Sequence, residues 1–433
     1  MKVLLVGGGG REHALAWRLR QEDPSIDIVA APGNPGIAQI ATCIAISATD
    51  VDRLADFAEK NGVDWTLVGP EAPLAAGIVD GFREKGLPIF GPTRAGAMLE
   101  TSKAFSKTLM VQAGVPTARA IECNGVESAR AAIAAIGAPL VIKASGLAAG
   151  KGVIICKTID EAHAAASAML EGHVFGSAGD TVLVEEFMEG EELSVFAITD
   201  GEHFVILPQA QDHKRLLEGD EGPNTGGMGA YSPVSLAEQS PDLIATIAEK
   251  IIEPTLGEMR RRGTPFTGVL YVGAMVTADG PKVVEFNCRF GDPETQVVLP
   301  SLADEDSLIE MMSSIARGES IGSNQEMTAV QSAVTTVLAA EGYPDSPKSG
   351  AVISIPNVPR DVIVFHAGTK RDANDELVTA GGRVLAVTGV GASFEEAQNR
   401  SQSFARAIQF EGKQFRADIG WRELDRRAGA TRD

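Results

Sequence analysis

Cysteine is scarce in this sequence and unpaired in pattern. Its four residues, Cys43, Cys123, Cys156 and Cys288, lie far apart, and none forms a C-x-x-C pair. That spacing gives neither a disulfide framework nor a zinc site and fits a reducing cytoplasm. Basic charge is also short. The 38 Lys and Arg stand against 58 Asp and Glu, for a net charge of −20. This argues against a nucleic-acid partner, which needs a basic surface. A phosphorylated small molecule needs only a local pocket and stays open. No window approaches about 18 uninterrupted apolar residues, so no membrane span is expected. The start, MKVLLVGGGGREHALAW, passes from a short apolar run into glycines and polar residues. It reads as a first strand and not as a cleavable signal. No internal repeat or low-complexity tract is present.

The length allows roughly two to four domains. Strands and helices alternate over the first hundred residues: KVLLVG, REHALAWRLRQE, IDIVAAPG, VDRLADFAEKNG, DWTLVGPEA, IVDGFREKG and LPIFGP. Such alternation predicts an open parallel α/β sheet. Beyond Thr101 the pattern changes to a smaller α+β unit reaching about residue 190. Mostly strands follow, then a glycine-rich loop at 219–229 and a long helix over 241–262. A strand pair, VLYVGAMVT and KVVEFN, leads to a helix over 304–317. Residues 328–433 read as β-rich with one late helix. The expected domains are 1–102, 103–327 with a lid at about 120–190, and 328–433.

Five stretches carry chemistry. In GGGGREHALA a strand runs through glycines into a helix, a place for phosphate against backbone N–H groups. The dinucleotide fingerprint fails, because its third glycine would fall at Glu12 and the second strand ends without an acid. A tight turn or a substrate phosphate or ribose remains. APGNPG, with Asn34, and GPEAP, with Glu71, end the neighbouring strands, the edge where ligands sit in such sheets. In PLVIKASGLAAGKGVIIC two strands flank a glycine loop bearing Lys143 and Lys151. The Walker pattern fails here too, since a strand follows where a helix is needed. The loop is either a mobile cover over phosphates or a solvated hairpin. VLVEEFMEGEELSV is a hinge-like strand pair or a surface acidic run. QAQDHKRLLEGDEGPNTGGMGAYSP places Asp212, His213 and Lys214 after a strand, then a glycine-dense loop around Asn224 suited to anions. His213 alone suits a satisfied polar residue better than a catalyst.

The fifth stretch, VVEFNCRFGDPE, is a strand with Glu285, Asn287 and Arg289 on one face and Phe286 and Cys288 on the core face. A salt bridge at a strand end explains the polar row. So does a hard cation on two oxygen ligands with an arginine nearby for phosphate.

In this order, Lys143, the glycine loop, the Glu-Glu hinge and the Glu-x-Asn strand resemble the ATP-grasp ligases. GGREHALAW, APGN, VGPEAPL, KASGLAAGKGV, QAQDHKR, GPNTGGMGAYSP, FTGVLYVGAM, EFNCRFGDPETQ and FHAGT are similar to the phosphoribosylamine–glycine ligase family within them. They span residues 7 to 370, and GGRV and DIG extend the likeness to about 420. The resemblance implies a Rossmann-like N-terminal sheet, a central ATP-grasp α+β region with a mobile lid, and a β-rich C-terminal domain.

It also implies ATP with Mg²⁺ or Mn²⁺ held by Glu285 and Asn287. The preceding strand lacks the further acid that many ATP-grasp enzymes carry. Lys103 and Lys143 would contact phosphates, and Lys151 would lie in the lid loop. Glu185, Glu186, Phe187 and Met188 would cradle adenine, and Glu192 the ribose. Candidate substrate contacts are Gly9, Glu12, Asn34, Glu71, Asp212, Lys214, Asn224, Arg289 and Asp292. Arg289, Asp292 and Lys143 are the catalytic candidates, with Asp292 alternatively a turn cap or a partner of Arg289. The implied reaction joins glycine to 5-phosphoribosylamine through a glycyl phosphate, in a cytoplasmic monomer of the purine route. Another carboxylate–amine ligase, or a nucleotide sensor without turnover, is the competing reading.

Overall fold

The computed structural model describes residues 1–148, 152–240, 242–303 and 307–430. The first sheet is parallel, in the order Thr42–Cys43, Asp27–Pro32, Lys2–Gly7, Trp65–Val68 and Ile89–Phe90. Its strands are short apolar runs covered on both faces, as parallel strands require. Strand Trp65–Val68 stops short of the expected GPEA, and Glu71 already opens a helix. The loops after Gly7, Pro32 and Val68 therefore share the carboxyl edge of the sheet. They fit together only without side chains at key points: a Cβ on Gly8 would stand 2.4 Å from Gly33 O.

Four antiparallel strands, Ala120–Cys123, Val182–Glu186, Leu140–Ala144 and Val153–Cys156, form the next sheet. Helices Val126–Ile136 and Ile159–Leu170 pack on it. This unit has its own small core, including Ile133, Leu140, Met169 and Val184. The other sheets share cores that run between them. Burial thus binds this unit, where the lid is expected, to itself more than to its surroundings.

The central sheet orders Gly280–Asn287, Gly268–Thr277, Glu191–Thr199, Phe204–Ile206 and Gln325–Glu326. The C-terminal sheet is antiparallel, in the order Gln211–Asp212, Gly229–Ser232, Ser332–Ala339, Arg383–Gly391 and Val362–His366. Two of its strands come from the DHK and GGMG region, far ahead of residue 328 in the chain. The glycine-rich stretch is partly ordered as well, with strand Glu221–Asn224 paired to Arg215–Leu217.

Three expectations about helices change. The C-terminal region holds two helices, Phe394–Ala407 and Trp421–Ala430, and not one. The second is short, and half of its residues are charged. The long helix runs from Leu243 to Arg261, with a π-helical segment at Ala248–Ile252. Pro254, just beyond that segment, has no N–H for the carbonyl four residues back, and its ring crowds that carbonyl. The helix expected over 304–317 spans Leu308–Ala316, capped by Ser307, whose Oγ accepts from Glu310 N. Residues 304–306 lie outside the described residues.

Candidate active site

Strand Gly280–Asn287 forms one wall. Phe286 and Cys288 are buried, as the alternation requires, and Glu285 and Asn287 share the other face. Burial alone would raise the Glu285 carboxyl. Lys214, Lys103, Lys143 and Arg289 outweigh it and hold the group below its usual range. Gly273 sits opposite Glu285 on the neighbouring strand. A Cβ there would lie 3.5 Å from Glu285 Cγ and 3.8 Å from Glu192 Oε1. One glycine floor therefore separates the carboxylate expected to hold metal from the one expected to hold ribose. Lys214 Nζ pairs with Glu192.

The ion-pair reading of the polar row is seen directly, and it leaves the Glu285 and Asn287 oxygens beside it. Arg289 does pair with carboxylates: Nη2 donates to Glu100 Oε1 at 2.8 Å and Nε to Glu71 Oε2 at 3.3 Å. Burial would discharge the guanidinium, but Glu100 and Glu71 outweigh that and keep it charged. Asn287 Oδ1 receives only a long contact from Arg289, at 3.4 Å. One carboxylate and one amide oxygen, with phosphate and water to complete the shell, fit Mg²⁺. Among the described residues no group of three or more His, Cys, Asp or Glu could hold a metal. Glu285 and Asn287 remain the expected pair of oxygen donors.

The residues expected around the nucleotide lie between the 120–190 unit and the central sheet. Lys143 Nζ donates to Val284 O at 3.0 Å and pairs with Glu185 at 2.8 Å. Lys103 opens helix Lys103–Ala113, and its backbone N donates to Ser145 O at 2.8 Å. Glu186 Oε1 accepts from Arg119 N at 2.9 Å. Phe187 is exposed, Met188 is partly buried, and Glu192 is the second residue of the next strand, Glu191–Thr199. Lys151, the expected lid-loop lysine, lies outside the described residues.

The substrate side joins three sheets at Asp292. Its Oδ1 accepts from Gln296 Nε2 at 2.7 Å, and Oδ2 faces Arg383 Nη2 at 3.2 Å. A Cβ on Gly9 would stand 3.8 Å from Asp292 Oδ2, so the N-terminal glycine loop abuts this carboxylate. The partner is therefore Arg383 of the C-terminal sheet, not Arg289. Arg383 also donates to Asp292 O at 2.7 Å and to Gly226 O. One guanidinium thus ties the GDPE turn to the GGMG loop. Asp212 is partly open to the cleft yet surrounded by protein. Burial pushes it up to about 8, with Lys214 opposing and Glu294 and Glu192 adding.

Several expected contacts have structural partners. Glu12 Oε2 accepts from Gly9 N at 2.6 Å, and Oε1 takes Arg11 Nε at 2.5 Å. Asn34 donates to Gly8 O and His366 O, and accepts from Gly36 N and Ile37 N. These two residues build the loop edge. Asn224 lies apart from the metal wall, in a second cleft with Ile154 and Ile155 of the lid and Pro344 of the C-terminal region. His213 is buried and accepts from Gly420 N at 2.8 Å, the structural role expected of it.

Four charged residues escaped the motif reading: Glu100, Lys107, Glu294 and Arg383. Glu294 was inside a quoted stretch. It is buried, and Oε1 accepts from Tyr271 OH at 2.9 Å. Lys107 follows Lys103 by one helical turn, the only local signal for it.

The arrangement gathers several cations around the Glu285 carboxylate, sets the Asn287 amide oxygen beside it, and places the Asp292 carboxylate against the N-terminal glycine loop. The N, ATP-grasp (A) and C domains of phosphoribosylglycinamide synthetase match residues 1–100, 101–295 and 333–422. The phosphoribosylamine–glycine ligase of Ralstonia nicotianae is 48% identical over 98% of this chain and 100% of its own. That of a Nostoc species is 46% identical over 98% and 99%. The crystal structure of the Thermotoga maritima phosphoribosylamine–glycine ligase superposes with a TM-score of 0.85. It is 34% identical and covers 97% of this chain and 100% of its own. A Campylobacter jejuni biotin carboxylase in complex with a β,γ-ATP compound shares the fold at a TM-score of 0.73. It is 17% identical over 96% of this chain and 92% of its own. By sequence and by structure, the chain belongs to the phosphoribosylamine–glycine ligase family of ATP-grasp enzymes.

Proposed function

We propose that this protein is the ATP-dependent ligase that joins glycine to 5-phosphoribosylamine, giving glycinamide ribonucleotide, ADP and phosphate in purine biosynthesis. One observation carries the reading. The Glu285 carboxylate is gathered under Lys103, Lys143, Lys214 and Arg289, beside the open oxygen of Asn287. A lone structural carboxylate needs one counter-ion. Several cations around one acid suit polyphosphate anions entering with a divalent metal.

Glycine carboxylate attacks the γ-phosphoryl group of ATP, releasing ADP and leaving glycyl phosphate. The amine of phosphoribosylamine then attacks the acyl carbon, phosphate leaves, and the amine sheds a proton. Lys103 and Lys143 hold phosphate oxygens through the transfer, as phosphoryl chemistry relies on positioning and charge. Glu285 and Asn287 would hold Mg²⁺, which supplies charge neutralisation between the phosphates. Arg289, fixed by Glu100 and Glu71, stays beside the acyl phosphate as negative charge moves onto it. Asp292 orients the incoming amine and accepts its proton. Glu185 through Met188 receive adenine, Glu192 the ribose, and the lid excludes water from the mixed anhydride.

Mg²⁺ is the metal of this reading, by the small all-oxygen donor set, with Mn²⁺ as a substitute. The chain acts as a monomer in the cytoplasm, in keeping with its free, separated cysteines. No described helix is long and apolar enough to cross a membrane. Family matches over 1–100, 101–295 and 333–422 support a division near 102 and a second one between 295 and 333.

The test is an ADP-release assay with glycine, ATP and freshly made phosphoribosylamine, each omitted in turn. Full turnover needs all three. ADP release with another amino acid or formate in place of glycine would make it a different ligase. Nucleotide binding without turnover would make it a sensor.

A further inference from the structure

We infer that Arg426, on the last described helix, is a positioning residue for the nucleotide's ribose site. The helix Trp421–Ala430 runs past residue 422, where the matched C domain ends. Its only conspicuous feature in sequence is charge. In the structure Arg426 reaches back to the hinge strand that carries Glu192. Nη1 pairs with Glu191, the first residue of that strand. Nη2 donates to Gln211 Oε1 at 3.1 Å and to Tyr231 OH at 2.9 Å. Tyr231 OH donates to the same Gln211 oxygen.

Two donors on Oε1 settle which way the Gln211 amide faces. Its Nε2 then points at Glu192 O and donates at 2.8 Å. Arg426 thus holds one neighbour of Glu192 directly and the Glu192 backbone through Gln211. Lys214 holds the Glu192 carboxylate from the cleft side. The arginine is itself fixed. Its side chain is 13% exposed, and Nη2 donates to Glu423 Oε2 at 2.8 Å. Glu423 is fully buried and also accepts from Ser235 N and Oγ. A charged residue buried this way, with one arm on Glu191 and the other on the Gln211–Tyr231 pair that holds Glu192 O, fixes strand position as well as helix docking.

The inference rests on Glu192 as the ribose residue. The experiment compares kcat/KM for ATP, 2′-deoxy-ATP and 3′-deoxy-ATP in the full-length enzyme. Glu192→Gln gives the reference loss of discrimination. Arg426→Met should lower the preference for ATP over at least one deoxy analogue roughly tenfold, the scale of one hydrogen bond to a charged group. Its KM for glycine should stay near wild type. Glu191→Gln cuts the ion pair while leaving the helix in place, and should lower the preference in the same direction by less. Arg427→Ala removes another Glu423 partner on the same helix. It should lower Tm and leave the preference unchanged.

If Glu192→Gln keeps full discrimination, the ribose assignment falls and the inference with it. If Glu192→Gln loses discrimination while the folded Arg426→Met and Glu191→Gln proteins keep it, the ribose assignment stands and the positioning role is wrong. Equal losses with all three nucleotides would also overturn it, since that marks a purely structural arginine.

Discussion

Lys143 meets Glu185 deep inside the cleft, Nζ to Oε2 at 2.8 Å, with both side chains almost fully buried. The other oxygen of Glu185 faces Lys107 Nζ at 3.1 Å. Burial would raise the Glu185 carboxyl, but Lys143 and Lys107 outweigh it and keep the group below its usual range. If Lys143 turns to an incoming phosphate, Glu185 still has a counter-ion. Without Lys107 it would become an unpaired buried anion, the costly case for an ion pair.

Lys107→Met should therefore raise KM for ATP by about tenfold or more while KM for glycine changes little. Lys107→Arg should recover most of the loss. Steady-state kinetics with each substrate varied in turn check this. An unchanged ATP dependence in the folded Met variant would remove Lys107 from the nucleotide site.

Glu285→Gln should cut turnover roughly a hundredfold or more, the scale of several kcal/mol of metal assistance. An amide is a weaker ligand for a hard cation. The defect should ease as Mg²⁺ is raised. A variant that matches wild type at limiting Mg²⁺ would show that the metal binds elsewhere.

The opening sheet, apart from the short strand Thr42–Cys43, and the 120–190 unit, apart from strand Ala120–Cys123 and helix Val126–Ile136, were legible because each rests on local rules. Strand–helix alternation fixes the first, and paired strands with a compact helix fix the second. Phe286 and Cys288 follow directly from a period of two. What stayed hidden depends on distant partners. Arg289 reaches Glu71 and Glu100, more than 180 residues away in the chain. Lys107, Glu100 and Arg383 look in sequence like ordinary polar positions, because nothing local says that their side chains enter a cleft. The strands Gln211–Asp212 and Gly229–Ser232 join the C-terminal sheet by register with Ser332–Ala339, which no pattern within either segment records.

Asp292→Asn should separate the two chemical steps. The amide can still accept from Gln296 but loses the charge that faces Arg383. ATP and Mg²⁺ binding should persist, with oxygen exchange from labelled glycine carboxylate into phosphate. Formation of the ribonucleotide should fall roughly a hundredfold, as for a lost acid–base group. Equal loss of ATP binding and ligation would mark Asp292 as a structural residue.

The seam between the first and last sheets should be sensitive to acid through His13 and His366. His366 N donates to His13 Nδ1 at 2.8 Å, so that nitrogen carries no proton. Burial, helped by His366, pushes His13 down to about 3. Burial, with Arg371, pushes His366 down to about 4. Both pKa values lie below the unfolded value of 6.5. Above pH 6.5 neither state holds these protons, and the histidines do not alter stability with pH. Below it the unfolded chain takes up two protons that the folded chain refuses until about pH 4 and about pH 3. Stability should therefore fall across that window by up to about 1.4 kcal/mol per pH unit for each histidine. His13→Asn keeps an acceptor near Nδ1 and removes one titration. Its Tm should lie below wild type at pH 8, and the gap should narrow at pH 5. Melting curves at the two pH values check this. A gap that stays constant or widens at pH 5 would mean that His13 takes up its proton in the folded protein.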